Sequence, residues 1–309
     1  MFPSPLEGGP PGQDRAVLWR PPLAGVEVLH ARFRRHVYAR HAHEALTLAL
    51  VDAGAAAFTC GGRDYLAPSG TAFMIRPGEP HTGSPATPAG YRYRVLYIEP
   101  RTLDELLGPP ESADATSTRL PASGTLRDPR LVRSLARAHD ALGSRASSLA
   151  RESALLDVGQ ALAEHGAEHG SPVVEVPRVA RIARDYLHAH PDADVSLKQL
   201  SQICGVGVHH LIRSFSAAMG MPPHAYQTQL RVWRARSLLF EGLQAAEVAL
   251  RTGFYDQAHF TRVFKRYTGV TPGQFLPSAS AAPASLATAS RRTSSRLQKA
   301  NRASQRGES

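Results

Sequence analysis

The sequence predicts an α+β chain in which an antiparallel β-barrel with a helix pair is followed by an all-α domain. Between Val17 and Ile98, short β-like runs alternate with turns rich in Gly and Pro, a pattern typical of antiparallel sandwiches and barrels. From Arg178 to Phe275, apolar residues recur at helical spacing almost throughout. The 309 residues suffice for about two domains, each with its own core.

The composition excludes several classes of protein. No apolar run approaches the roughly 18 residues that a membrane span needs, and the first twenty residues lack the basic start and apolar stretch of a secretory signal. The two cysteines, Cys60 and Cys204, lie too far apart in the sequence for a Cys-rich zinc site or a disulfide scaffold. We therefore expect a reduced, cytoplasmic protein with no membrane partner.

The charge is distributed unevenly along the chain. The formal net charge of +10 is zero over residues 1–171, +5 over residues 172–276 and +5 over residues 277–309. A neutral first half joined to a basic second half favours a module for an uncharged partner linked to a module for a polyanion.

Turn-forming and apolar segments predict the domain boundaries. The expected order is a disordered N-terminus (1–16), a β-domain (17–127) ending in a polar loop (108–127), a helix pair (128–165), a linker (166–177), a helical domain (178–276) and a disordered basic tail (277–309).

The helix pair is predicted from its start signal and its apolar spacing. Asp128 followed by Pro129 is a typical helix start, and Leu131, Leu135 and Leu142 share one apolar face of the first helix. The second helix is expected from Leu149 to Glu164. The pair either covers the barrel or forms a dimer interface, and we favour the dimer interface.

The helical domain contains an internal repeat at an offset of 49 residues. Six positions of the first copy match the second in chemistry: Leu211 with Phe260, Arg213 with Arg262, Phe215 with Phe264, Gly220 with Gly269, Pro223 with Pro272 and Tyr226 with Phe275. Each copy is predicted as helix, tight turn and helix, the helix-turn-helix pattern whose second helix enters the DNA major groove. Ser196 and Asp256 are the expected caps, and a long helix from His224 to Phe240 would join the copies.

The candidate DNA-contacting residues lie on the face of each second helix opposite its buried phenylalanines. Glutamine can bond adenine and arginine can bond guanine in a bidentate manner. In the second copy these candidates are Gln257, Thr261 and Arg262, with Lys265 and Arg266 one turn later for phosphates. In the first copy they are His209, Ile212 and Arg213.

The segment 231–275 resembles the signature of the AraC/XylS family of bacterial transcription regulators. The matching residues are Arg231, Ala235, Leu238, Leu239, Val248, Ala249, Gly253, Phe254, Asp256, Gln257, His259, Phe260, Arg262, Phe264, Lys265, Gly269, Thr271, Pro272 and Phe275. The resemblance implies two helix-turn-helix units that bind successive major-groove segments on one face of DNA. The upstream copy departs from the family pattern at Ser201, at Gly207 in place of a capping serine, and at Trp233 in a position that is usually polar.

The first half of the chain is similar to the cupin pattern. His41 and His43 stand at the start of a strand, and the segment 77–81, which ends in His81, follows about forty residues later. In cupins such histidines can face one another inside a small β-barrel, and many regulators of the AraC/XylS family carry such a barrel for effector binding and dimerisation. The resemblance implies that His41, His43 and His81 bind an effector.

A metal site is the alternative role for these histidines, because three histidines with an open position can form a catalytic metal centre. The cupin pattern also has a glutamate four or five residues after the second histidine, where this chain has Thr47 and Leu48. We therefore expect a structural role or an organic ligand for the three histidines, with no metal and no cofactor.

The function favoured by the sequence is a DNA-binding transcription regulator, more readily an activator than a repressor, and not an enzyme. Its expected partners are double-stranded promoter DNA, a small-molecule effector, a second copy of the chain and, for an activator, RNA polymerase at the nucleoid. One alternative is a metal-dependent cupin enzyme with an appended DNA-binding module. Another, an alkyl-transfer DNA repair protein, needs a zinc-held cysteine cluster, and two cysteines exclude it.

Overall fold

The computed structural model describes residues 14–107, 120–144, 146–169 and 176–274. Its strands are β1 (Arg15–Trp19), β2 (Val26–Phe33), β3 (Tyr38–His41), β4 (Leu46–Cys60), β5 (Arg63–Pro68), β6 (Ala72–Ile75), β7 (His81–Pro85), β8 (Tyr91–Ile98) and β9 (Gly124–Leu126). Its helices are α1 (Pro100–Leu107), α2 (Pro129–Leu142), α3 (Ser148–His169), α4 (Arg178–Ala189), α5 (Leu197–Cys204), α6 (Val208–Met219), α7 (Pro223–Phe240), α8 (Ala245–Arg251) and α9 (Gln257–Thr268). The predicted basic tail (277–309) and Phe275 lie outside the described residues.

The β-domain is an antiparallel barrel-like sheet organised around β4. One layer has the order β1-β2-β8-β4-β6-β9, and the other is formed by β3, β7 and β5 against the second half of β4. β4 extends through both layers because it is 15 residues long, with a register shift between Val51 and Ala53. The predicted antiparallel β-domain followed by helices is confirmed.

Alternate residues of the central strands pack into two different cores. On β2, Val26 and Val28 face a core that α1, α2 and α3 complete, whereas Leu29, Ala31 and Phe33 face the interior of the barrel. The helix pair therefore covers the outer face of the sheet, and Leu131, Leu135 and Leu142 are buried as predicted. Since both faces are covered, the strands have long apolar runs.

The helical domain contains the two predicted helix-turn-helix units, α5–α6 and α8–α9, joined by α7. Ser196 caps α5 by accepting a hydrogen bond from the backbone N–H of Gln199, and Asp256 caps α9 through the N–H of His259. Gly253 forms the turn of the second unit with φ +74°. An added Cβ there would lie 2.8 Å from the carbonyl oxygen of Asp192, so both conformation and space require glycine.

The two domains share their cores. The interior of the barrel and the second helix-turn-helix unit form one apolar cluster, in which Phe33 and Tyr93 pack with Val232 and Val270. Gly269 lies so close to Phe33 that an added Cβ would be 2.5 Å from the ring. The first unit buries Ala42 of the barrel in its own core.

Four details differ from the sequence expectations. β1 begins at Arg15, inside the segment predicted as a disordered N-terminus (1–16), and β9 lies in the predicted polar loop (108–127). β4 is 15 residues long where short runs were expected, and Gly54 lies within the strand at φ +72° instead of ending it. α3 extends to His169, into the predicted linker (166–177), because no proline interrupts it before Pro172. Within the described residues, no helix combines the length and apolarity needed to cross a membrane.

Candidate functional site

The predicted recognition residues lie on the surface of α6 and α9. His209, Arg213, Gln257, Arg262, Lys265 and Arg266 are exposed, while Ile212 and Thr261 are half-buried. Opposite them, Phe215, Phe260 and Phe264 are completely buried. Since no hydrogen bond or ion pair to another described residue engages the polar side chains of this set, they remain available for an external partner.

Helix α7 sets the separation of the two recognition helices. Its 18 residues correspond to a length of about 27 Å, which is shorter than the roughly 34 Å between equivalent major-groove positions one turn apart. Arg231 on α7 forms hydrogen bonds with segments on either side of the helix. Its guanidinium donates to the carbonyl oxygens of Pro191 (3.0 Å), Ala193 (3.0 Å) and Gly253 (2.9 Å). Pro191 and Ala193 lie in the loop that leads into the first unit, and Gly253 forms the turn of the second, so one side chain links the entry of one unit to the turn of the other.

A second candidate site is a chamber inside the barrel, with a volume of about 80 Å³. Its walls are largely aromatic and include Tyr38, Tyr91, Tyr93, Tyr97, Phe58 and Phe73. The hydroxyl groups of Tyr38 and Tyr93 lie 3.1 Å apart and hydrogen bond to each other. All three histidines that the sequence singled out, His41, His43 and His81, line this chamber.

The three imidazoles lie in contact with one another. Their ring centroids are 4.2 Å apart for His41 and His81, 4.9 Å for His43 and His81, and 5.8 Å for His41 and His43. Burial lowers the pKa of His41 to about 4 and that of His43 to about 3, and it lowers the pKa of His81 well below its usual value. At neutral pH all three rings are therefore uncharged.

The remaining wall of the chamber belongs to the DNA-binding domain. Helix α7 contributes Val232, Trp233 and Arg236, and the end of α9 with the following residues contributes Tyr267, Thr268 and Val270. An open cleft of about 600 Å³ adjoins the chamber. The chamber and the cleft share four lining residues, His43, Tyr97, Trp233 and Arg236, which form the partition between them.

Arg236 is held at this partition by contacts with the barrel. Its guanidinium forms an ion pair with Glu27 and lies 5.5 Å from the centre of the Tyr97 ring. Arg20 binds the same Glu27 carboxylate at 2.8 Å and the hydroxyl of Ser237 at 3.3 Å. The buried Nε of Arg236 has no hydrogen-bond partner among the described residues, which leaves one donor available beside the chamber.

The segment from His41 to Glu44 joins the chamber to helices α4 and α7 of the helical domain. His41 and His43 face the chamber, while the residues next to them contact the other domain. The N–H of Ala42 donates to Oε1 of Gln229 at 2.7 Å, and the carboxylate of Glu44 lies 3.3 Å from Nε2 of His188. The same four-residue segment therefore lines the chamber on one side and contacts the helical domain on the other.

Three residues at this boundary, Gln229, Trp233 and Arg236, were not among the predicted site residues. A signal for one of them existed: Trp233 departs from the polar residue usual at its position in the AraC/XylS pattern. Gln229 and Arg236 carry no comparable sign, since a polar residue on a long helix is ordinary until its partner in another domain is known.

Comparisons with known proteins agree with the two-part organisation. Residues 23–159 match the family model described as an AraC-like ligand binding domain, and residues 200–278 match that of a helix-turn-helix domain. An uncharacterized HTH-type transcriptional regulator, YbfI of Bacillus subtilis, is 26% identical over 72% of this chain and 81% of its own length. The HTH-type transcriptional regulator RipA of Corynebacterium glutamicum is 33% identical over 34% of this chain and 32% of its own length.

Solved structures of ToxT from Vibrio cholerae share the fold along most of the chain. An apo form of a ToxT variant superposes with a TM-score of 0.60 at 10% identity, covering 82% of this chain and 98% of ToxT. A wild-type form with a bound unsaturated fatty acid gives 0.59 at 11% identity, covering 82% and 95%. The similarity therefore extends across both domains.

Proposed function

Because the chain belongs to the AraC-type transcription regulators, with an N-terminal ligand-binding domain and a helix-turn-helix DNA-binding domain, we propose that a small molecule entering the chamber controls how the two helix-turn-helix units engage promoter DNA. The observation that carries this proposal is the shared wall: α7 and the end of α9 close the chamber, and the same elements position the recognition helices. We further propose that the protein acts as an activator at the nucleoid, in contact with RNA polymerase, and not as an enzyme.

The size of the chamber supports coupling between effector and DNA. A volume of about 80 Å³ accommodates several water molecules, but small-molecule sites usually have about 300–1,000 Å³. An effector must therefore enlarge the chamber, and the adjoining cleft offers the entry route. The strands of the barrel are held in place by their hydrogen-bonded ladders. The part of the wall that moves is therefore the part formed by α7 and α9.

The contacts between the domains define what the effector must change. Entry past the partition disturbs the ion pair of Arg236 with Glu27 and the hydrogen bond from Ala42 to Gln229. A ligand shifts a conformational equilibrium only by its difference in affinity for the two states. The conformer with the enlarged chamber binds the effector better, and it has a different arrangement of the DNA-binding units.

Selection of genomic DNA fragments by the full-length protein, with and without fractions of a cell extract, tests this proposal. We expect enriched fragments with two short conserved blocks about one helical turn (~10 bp) apart. A Trp19→Phe variant leaves Trp233, on the chamber wall, as the single tryptophan. Fractions that change its fluorescence should also change the retained DNA.

Two outcomes of the selection would contradict the proposal. Absence of enrichment in every condition would contradict sequence-specific binding. Fractions that alter the fluorescence of Trp233 and leave DNA retention unchanged would contradict the coupling alone.

We propose that the protein is a homodimer and that α3 provides part of the interface. Leu149 and Leu156 are 74% and 54% exposed and lie seven residues apart, on one face of the helix. The inner face of the helix is filled by Leu155, Val158 and Leu162. This division leaves the two exposed leucines for a partner.

Replacing Leu156 by glutamate is expected to convert a wild-type dimer into a monomer in sedimentation velocity, because a charge at the centre of the interface loses its water without gaining a partner. Leu250→Glu is the matched control, since Leu250 is 72% exposed on the DNA-binding domain, and it should remain dimeric. A wild-type protein that stays monomeric at all concentrations would refute the proposed dimer.

A further inference from the structure

The ring nitrogens of the three chamber histidines lie close together. His41, His43 and His81 each offer one ring nitrogen, and these three nitrogens lie within 4.8 Å of one another. Among the described residues, no other group of at least three His, Cys, Asp or Glu side chains has this convergence. The cluster is buried, each member being 8% exposed, so the convergence is a property of the interior and not of mobile surface side chains.

A hydrogen bond to the backbone fixes the orientation of each imidazole ring. The Nδ1 atom donates to a backbone carbonyl oxygen two residues away: His41 to Ala39 at 2.8 Å, His43 to Ala45 at 2.9 Å and His81 to Glu79 at 3.0 Å. A proton on Nδ1 leaves the lone pair on Nε2 free to bind a ligand. Histidines that ligate metals are oriented in this way, by a second hydrogen bond to a carbonyl or carboxylate.

The backbone holds the ligands in a fixed framework. His41 on β3 lies directly across from His81 on β7 in the antiparallel register, and cross-strand pairs bring side chains within about 5 Å. His43 is two residues beyond His41, on the same side of the extended segment. The positions of the three histidines therefore depend on the pairing of β3 with β7, which does not change when other side chains change rotamer.

The donor set selects a class of metal. Neutral imidazoles suit Zn²⁺, Cu²⁺, Ni²⁺ and Co²⁺, whereas Mg²⁺ and Ca²⁺ need oxygen donors. The sequence argued against a metal because Thr47 stands where a carboxylate was expected. Yet three histidines with a free position form a complete protein ligand set for tetrahedral Zn²⁺. The hydroxyl of Thr47 lies 3.0 Å from Nε2 of His43. It donates a hydrogen bond to the lone pair that would bind the metal ion.

We propose that His41, His43 and His81 bind a divalent first-row transition-metal ion such as Zn²⁺, and that an anionic donor group of the effector takes the remaining coordination position. The second half rests on the proposed role of the chamber as effector site. Three neutral ligands leave the double positive charge of the ion uncompensated, which favours an anionic donor. The free Nε of Arg236 on the partition adds a further donor for the same group.

Cobalt titration of the full-length, chelator-stripped, untagged protein tests the proposal. We expect one Co²⁺ per chain with visible absorption typical of nitrogen ligation, displacement by Zn²⁺ and no competition from Mg²⁺. Single His→Phe replacements at positions 41, 43 and 81 should each weaken binding by at least about 100-fold, the upper end of what the loss of an outer-shell partner costs. Azide should shift the spectrum, because it occupies the open position.

The control variant is His224→Ala, which removes an exposed histidine of α7 and should bind Co²⁺ as the wild type does. A wild-type titration without stoichiometric binding, or binding that survives all three replacements, overturns the metal site. A spectrum that azide leaves unchanged overturns the open position. DNA selection with the same preparation reports on the proposed function separately, because the recognition helices contain none of the three histidines. The wild-type titration is decisive even if a variant fails to fold.

Discussion

Replacing Arg262 by alanine is expected to weaken binding to the cognate operator by about 1–3 kcal/mol and to relax the preference at one base pair. Arg262 is exposed on α9, and no described residue forms a hydrogen bond or ion pair with its guanidinium. The side chain is therefore free to form two parallel hydrogen bonds with a guanine edge in the major groove. Operator affinities measured on a panel of single-base variants would give both quantities.

The matched control is Arg251→Ala. Arg251 is also exposed, but it lies on α8 and binds Glu247 at 2.7 Å within that helix. Its loss should leave the base preference intact. If Arg262→Ala weakens binding equally on every sequence, Arg262 contacts a phosphate and not a base, because phosphate contacts carry no direct sequence information.

Replacing His139 by leucine is expected to make the protein less sensitive to acid. His139 is 1% exposed, and neither ring nitrogen has a hydrogen-bond partner among the described residues. Burial holds its pKa well below the usual value, as do the charges of His30 and Arg94. Burial also lowers the pKa of His30, whose ring lies 5.4 Å away, to about 3.

The sign of the effect follows from linkage. Below pH 6.5 the unfolded chain takes up protons at these histidines while the folded chain does not. The free energy of unfolding therefore decreases as the pH is lowered. Each such histidine contributes a slope of about 1.4 kcal/mol per pH unit, present between about pH 6 and the lowered folded pKa. His139→Leu removes the contribution of His139, which amounts to about 2 kcal/mol by pH 5.

Urea unfolding at pH 7 and pH 5 measures this difference. His139→Gln is the second variant, because it removes the titratable group but keeps a buried polar side chain. It should reduce the pH dependence of the free energy of unfolding. It should not raise the stability at pH 7, as leucine does by removing a buried polar group without a partner. If the free energy of unfolding of both variants has the same pH dependence as the wild type, the pKa of His139 is not lowered in the folded protein, and a partner stabilises its protonated form there.

The second helix-turn-helix unit was the part most open to prediction, for a local reason. Its cap at Asp256, its turn at Gly253 and the spacing of Phe260 and Phe264 all depend on residues close in sequence, and the structure has each of them as expected. The three barrel histidines could be singled out from a short motif, but their convergence depends on the pairing of β3 with β7.

The remainder could not be predicted because it depends on contacts between distant segments. β5 has little apolar pattern, with exposed residues such as Arg63 and Asp64, and forms through pairing with β4. β4 is longer than the short runs expected, because Gly54, which is a common turn residue, lies within the strand. The shared wall of the chamber joins side chains about 200 residues apart, as in the pair of Glu27 with Arg236, and no local pattern encodes such a partner.

The proposed coupling through the shared wall acts in both directions, from DNA to the chamber as well as from the chamber to DNA. Coupling between two binding equilibria is reciprocal, so an operator that favours one arrangement of the recognition helices changes the affinity for the effector by the same factor. The effector concentration that triggers a response is then a property of each promoter together with the protein. A single receptor of this design can switch different genes in sequence as the effector accumulates, in an order set by the strength of their operators.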